Sequence, residues 1–173
     1  MEIPAIGPFL ALFVFPGLMI AAAACDIMTL TIPNKLSLLL IALFIPAAFV
    51  TQLSATQIGS HALIALIVLG FGLSAFALGW MGGGDGKFLA ATALWFGPTD
   101  VLSFLLSASI AGGIIALALL SFRRVPLPHV LARHSWIHKL WSADTGIPYA
   151  LAFCAGALFI YPKTEIFRLV MAV

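Results

Sequence analysis

The sequence predicts an all-α integral membrane protein, a polytopic bundle of about six transmembrane helices, and three observations support this prediction. Of the 173 residues, 63% are hydrophobic and only 8% are charged, whereas a soluble domain is roughly half apolar and one-quarter charged. Small residues are frequent in the apolar stretches, which favours close packing of membrane helices. Six long uncharged stretches divide the chain, at residues 9–24, 36–50, 62–80, 88–96, 101–122 and 147–161. We therefore predict one membrane-embedded domain over residues 1–173.

Each stretch is expected to be helical, because a lone apolar segment in lipid must satisfy its own backbone hydrogen bonds. The first stretch follows Met1-Glu2-Ile3-Pro4 and lacks the basic region of a cleaved signal peptide, so we expect it to be retained. The fourth stretch is too short for a hydrocarbon core of about 30 Å. It is expected to begin inside the preceding loop, to tilt, or to be shielded by neighbouring helices.

The composition also excludes several classes of protein. A net charge of +2 with so few charged residues leaves no surface for nucleic acid, and disordered chains are poor in apolar residues. Cys25 and Cys154 lie in apolar stretches without a second cysteine or a histidine at ligand spacing, which is typical of small core residues. We expect no cofactor and no metal.

The distribution of Lys and Arg predicts the orientation, because cytoplasmic loops are enriched in these residues. With six spans, one side of the membrane carries only two basic residues, Lys163 and Arg168. The segment 123–146 lies on the opposite side, where it forms a basic cytoplasmic or interfacial loop. That second side carries six basic residues: Lys35, Lys87, Arg123, Arg124, Arg133 and Lys139. We therefore place it in the cytoplasm.

Two of the six acidic residues differ from the rest. Asp26 ends the first apolar stretch and Asp85 lies between the third and the fourth, while Glu2, Asp100, Asp144 and Glu165 fall in predicted loops or tails. An ionisable group at the membrane is costly and is a candidate functional residue. The alternative is an acid at a helix end that reaches the lipid headgroups. The predicted topology places both aspartates on the cytoplasmic side, at a similar depth.

Such a pair has a definite chemistry. Two carboxylates brought close together share one proton, so that one group is a base and the other an acid. The base can activate a water against a peptide carbonyl while the acid protonates the departing amide. Two other functions remain open: a small proton- or cation-coupled membrane transporter that uses the same two aspartates, and a non-catalytic assembly subunit whose charges only set topology.

The surroundings of each aspartate carry further signals. Residues 82–87 read Gly-Gly-Gly-Asp-Gly-Lys, and these glycines leave the backbone open to an extended peptide. A phosphate-binding loop would need Ser or Thr after the lysine, and Phe88 follows it. After Asp26, Pro33 disfavours helix at the preceding residue, and Asn34 is suited to cap the next helix.

Together these segments resemble the type IV prepilin peptidases, a family of GxGD membrane aspartic proteases. The resemblance is carried by Asp26 with Ile32-Pro33-Asn34, by residues 82–87, and by Gly146-Ile147-Pro148-Tyr149, which is similar to the entry of that family's final helix. It covers most of the chain, from about residue 20 to residue 158.

The resemblance implies that Asp26 and Asp85 are the catalytic aspartates, with Gly82, Gly84, Lys87, Pro33 and Asn34 in the active-site loops. It further implies a prepilin or pseudopilin substrate, whose leader is removed at the cytoplasmic face of a bacterial inner membrane. The long members carry an insertion with Cys-x-x-Cys pairs and N-methylate the product. This chain has neither the insertion nor those cysteines, and it resembles the short peptidase-only members of Flp, or tight-adherence, pilus systems. We therefore expect no N-methylation of the cleaved substrate. The expected partners besides the substrate are membrane lipids and a second copy of the chain.

The remaining polar residues carry weaker signals. Lys87 is expected to anchor a helix end, with contact to substrate or lipid phosphate as the alternative. His129, His134 and His138 lie in the basic segment. The last two are one helical turn apart, and this pair offers too few ligands for a metal site. Trp136 in the same segment is suited to the headgroup region.

Overall fold

The computed structural model describes residues 13–128, 133–142 and 145–171, and these form helices and connecting turns. The start of the first predicted stretch, His129 and Asp144 lie outside the described residues. The described residues contain seven α-helices, in order α1 Phe15–Thr29, α2 Asn34–Val50, α3 Ala55–Ala77, α4 Gly83–Arg123, α5 Ser135–Trp141, α6 Tyr149–Ile160 and α7 Glu165–Met171, with a 3-10 turn at Tyr161–Lys163 between the last two.

The turn between α1 and α2 brings the chain back within four residues. Leu30 ends α1 in the left-handed conformation (φ 56°), and its amide donates to the Asp26 carbonyl at 2.7 Å. The predicted capping role of Asn34 is wrong. Asn34 is the first residue of α2, Pro33 holds the capping position, and no side-chain cap forms. The fixed φ of proline, −61° in this structure, already prepares the backbone for the helix that follows.

The long helix α4 is a hairpin of two limbs that joins the fourth and fifth predicted stretches. In a straight helix residues 85 and 123 would lie about 57 Å apart, yet Asp85 and Arg123 line the same cavity. The rings of Phe96 and Phe104, on either side of the break, stack with centroids 4.5 Å apart. The chain therefore reverses between the limbs, so that residues 85 and 123 lie at one end of the bundle.

The reversal is produced at Gly97, whose backbone is non-helical (φ 59°, ψ −168°). In a continuous helix the Leu94 carbonyl would accept the amide of residue 98, but that residue is Pro98 and has no N–H. The Nδ1 of buried His61 donates to this carbonyl at 2.7 Å instead. A Cβ at position 97 would overlap the His61 ring, so glycine is required there.

The first limb of α4 is the central helix of the bundle. It begins at Gly83, inside the predicted loop, and every residue from 88 to 97 is buried. Its main neighbours are α3, α6 and α2. This burial explains how the short fourth stretch is accommodated, because protein rather than lipid surrounds it.

Two of the described helices, Ala55–Ala77 and Gly83–Arg123, are long and apolar enough to cross a membrane, and three shorter apolar helices accompany them: Phe15–Thr29, Asn34–Val50 and Tyr149–Lys163. Large apolar side chains are exposed around the bundle, among them Phe49, Leu66, Phe71 and Leu117. An apolar outer face of this kind fits a lipid environment better than water.

Candidate active site

A polar cavity of about 550 Å³ opens at the end of the bundle where α1 and the second limb of α4 finish and the first limb begins. Asp26 and Asp85 both line it, and their charges interact. Trp80, which is 71% exposed, lies at the rim. The structure thus brings together the two acids that the sequence singled out, although they lie in different helices.

Asp26 is held in a fixed orientation. Its side chain is only 3% exposed, and its Oδ2 accepts the backbone N–H of Ala150 at 2.8 Å. Ala150 lies in the first turn of α6, where backbone N–H groups have no partner within the helix. A carboxylate is well suited to this position, because the N-terminal end of a helix carries a partial positive charge.

Asp85 is less buried than Asp26 and lies in the first turn of α4, three residues after the capping residue Gly82. Its side chain folds back over Gly82, where a Cβ would lie 2.8 Å from the Asp85 Oδ2. An acid three residues after a helix cap often reaches back to that residue's backbone N–H. The absence of a side chain at Gly82 therefore determines where the Asp85 carboxylate lies.

The glycine segment is a helical turn in the structure, whereas its sequence predicted an open loop. A Cβ at Gly86 would lie 3.2 Å from the backbone of Gly72 in α3. A Cβ at Gly84 would lie 3.5 Å from the carbonyl oxygen of Ile32. These two glycines allow α4 to pack closely against α3 and the α1–α2 turn. Of the four glycines in residues 82–86, Gly82 alone lines the cavity.

The structure does not bring the other predicted site residues to this cavity. Asn34 and Lys87 line a separate apolar groove between α2, α3 and the first limb of α4. Pro33 is exposed in the turn before α2. The direct roles predicted for these residues stay predictions.

Arg123 also lines the cavity, although the sequence indicated only a topological role for it. Its Nε donates to the Leu140 carbonyl at 2.8 Å. Its Nη2 donates to the Thr145 carbonyl and hydroxyl, both at 3.1 Å, and to the Gly146 carbonyl at 3.0 Å. Arg123 thereby ties the end of α4 to the segment that leads into α6. A single arginine after an apolar stretch gives no sequence signal for such a network.

The other polar residues lie away from the two aspartates. Asp100 and Glu165 line a pocket beyond the α4 reversal, and the Glu165 amide donates to the Asp100 Oδ2 at 3.4 Å. His134 and His138 are exposed at α5. Within the parts of the chain that the structure describes, no group of three or more His, Cys, Asp or Glu side chains could hold a metal ion.

The fold and the cavity define an all-helical protein with a paired-carboxylate site. The chain belongs to the type IV leader peptidase family, whose family model matches residues 13–117, more than half of the chain. This match includes Asp26, Asp85 and the α4 reversal, and it makes the protein a peptidase of a family of membrane proteins. No curated protein and no solved structure gives a significant match.

Proposed function

We propose that the protein is a membrane aspartic endopeptidase that removes the leader peptide of prepilin-like substrates at the cytoplasmic face. The observation that carries the proposal is the placement of Asp26 and Asp85 on one cavity in a chain of the leader peptidase family. The six-to-two division of basic residues supports the cytoplasmic location.

The reaction needs one base and one acid, and the aspartate pair supplies both. The ionised carboxylate takes a proton from a water molecule, and the resulting hydroxide attacks the carbonyl carbon of the scissile peptide bond. The protonated carboxyl gives its proton to the departing amide nitrogen as the carbon–nitrogen bond breaks. One proton enters the pair and one leaves it, so the shared protonation is restored. Because such groups titrate together, the roles belong to the pair.

The structure supports this use of the two groups through their different settings. The Asp26 carboxylate is fixed by the Ala150 amide, which orients it before substrate arrives. Asp85 is more accessible than Asp26. It lies beside Gly82, whose lack of a side chain leaves room for the Asp85 carboxylate at the cavity wall. We expect the released substrate to remain unmethylated, because the chain has only two cysteines and no Cys-x-x-Cys pair.

The proposal is tested by co-expressing a Flp-type prepilin with the wild-type protein and with Asp26→Asn and Asp85→Asn. Each variant is expected to slow leader removal by more than about 100-fold, because each removes half of the acid–base pair. Gel mobility and the mass of the new N-terminal peptide report cleavage and methylation.

Asp100→Asn is the matched control, since it makes the same chemical change in the pocket beyond the α4 reversal. It is expected to cleave as the wild type does. All variants must be present in the membrane at equal levels. Normal cleavage by either Asp26→Asn or Asp85→Asn contradicts the aspartic mechanism. Ion-dependent flux without a change in substrate length would instead support a transporter.

A further inference from the structure

An apolar groove of about 630 Å³ lies next to the polar cavity, and we call it the stem groove. It runs between α3, the second limb of α4 and the start of α6, and the residues that line it are uncharged. Met81 and Tyr149 line both the stem groove and the polar cavity. A polypeptide that leaves the cavity past these two residues therefore enters the groove.

The wall formed by α4 is lined mostly by small residues. The lining positions of this wall recur at spacings of three and four residues, which places them on one face of the helix. They are Leu105, Ala108, Ser109, Gly112 and Ala116. Small side chains at such spacing allow a second helix to approach closely within a membrane.

Gly113 marks open space within this wall. A Cβ at Gly113 would meet nothing within 4 Å, although the residue lines the groove in the middle of a helix. Gly156 differs, because a Cβ there would lie 2.5 Å from the Ala108 backbone nitrogen, so the bundle itself requires that glycine. The bundle does not fill the space beside Gly113, so the groove has room there for a partner that approaches from outside.

We propose that the stem groove holds the apolar helix of the substrate, in the part that directly follows the scissile peptide bond. The inference rests on the proposed function and adds where the substrate lies. The carboxylate pair acts on the peptide at one end of the groove, and the uncharged groove receives the apolar segment joined to it. The contact is between helices and is centred on Gly113.

The first test fills the groove with the variant Gly113→Leu. Cleavage of the prepilin is expected to slow by about tenfold, chiefly through a higher KM, because the added side chain occupies space that the substrate helix needs. Gly70→Leu is the matched control. Gly70 is also an exposed glycine within a helix with nothing within 4 Å of its Cβ position, but it does not line the groove.

The outcomes separate this inference from the proposed function. Slow cleavage by Gly113→Leu together with normal cleavage by Gly70→Leu supports the groove. Normal cleavage by both variants overturns the proposed role of the stem groove in substrate binding and leaves the proposed function intact. Equal losses of cleavage rate in both variants also overturn this role, because the effect then has no relation to the groove. A wild-type protein that does not cleave prepilins refutes the proposed function itself.

The second test uses a photo-cross-linking residue at Ile67 or at Leu66 in an Asp85→Asn background, which keeps the substrate whole. The two positions are adjacent and exposed in α3, but Ile67 lines the stem groove and Leu66 the groove beside Lys87. We expect adducts with the substrate's apolar segment from position 67 only. Adducts from position 66 alone, equal adducts from both positions, or only lipid adducts at position 67 overturn the inference.

Discussion

At the scale of single residues, the geometry of the site depends on what surrounds each carboxylate. Asp26 is oriented by an amide 124 residues away in sequence, and Asp85 is oriented by the missing side chain of Gly82. Position along the chain was enough to select these two acids. Acidic residues are rare in this sequence, and the other four fall in predicted loops or tails. Their partners depend on tertiary contacts that spacing does not reveal.

The position of Asp85 yields a prediction for Gly82→Ala. The new methyl group would lie 2.8 Å from the present position of the Asp85 Oδ2, so the carboxylate has to move. A displacement of about 1 Å lowers the rate of a positioned reaction by about 100-fold, and we expect a loss of kcat approaching that size. Initial rates of prepilin cleavage in detergent measure it.

The control for Gly82→Ala is Gly59→Ala. Gly59 is exposed in α3, and a Cβ there would meet nothing within 4 Å. This variant is expected to keep the wild-type rate. If Gly82→Ala cleaves as fast as Gly59→Ala, the back-folded position of Asp85 has no part in catalysis.

At the scale of elements, the site depends on how α6 is held against α1. The N-terminal turn of α6 supplies the amide that binds Asp26, and Arg123 fixes the segment before that turn through Thr145 and Gly146. The entry of α6 was expected from the resemblance of Gly146-Ile147-Pro148-Tyr149 to the family's final helix, and α6 does begin at Tyr149. Nothing in the sequence indicated that the end of α4 holds this segment in place.

We therefore predict that Arg123→Ala lowers kcat by about 10- to 100-fold, because α6 then holds the Asp26 carboxylate less firmly. We expect KM to change little, because the hydrogen bonds of Arg123 go to the protein's own loop segment. Arg124→Ala is the matched control, since Arg124 is the exposed neighbour of Arg123. Steady-state kinetics on both variants measure the effect. A rise in KM at constant kcat would assign Arg123 to substrate binding instead, and equal losses in both variants would indicate a general effect of basic charge.

The α4 reversal shows why helix boundaries were harder to predict than helix positions. Apolar stretches separated by Gly97-Pro98 predicted two segments, and the structure has two limbs. The sequence left the start of the first limb open among three possibilities, one of them inside the preceding loop, because glycines 83, 84 and 86 disfavour a helix intrinsically. Tertiary contact overrides this preference, since Gly86 packs directly against Gly72 of α3.

At the scale of the whole molecule, polar groups are separated between the two ends of the bundle. Asp26, Asp85 and Arg123 line a cavity at one end, while Asp100, Glu165 and Arg168 line a pocket at the other. Hydropathy and the positions of charges predicted this separation, because each uncharged stretch was expected to carry the chain from one end to the other. The pairing of helices and the stem groove follow from side-chain packing, which composition does not specify.

The separation of the two ends predicts the labelling of single cysteines by a membrane-impermeant maleimide. In a Cys25→Ala, Cys154→Ala background, Lys163→Cys is expected to react from outside intact spheroplasts. Trp80→Cys and Arg124→Cys, at the cavity end, are expected to react only after permeabilisation. All three parent residues are exposed, so differences in reactivity report the side of the membrane. Different behaviour of positions 80 and 124 would contradict the α4 reversal. The reverse pattern at all three positions would place the aspartates outside the cytoplasm and exclude leader removal at the cytoplasmic face.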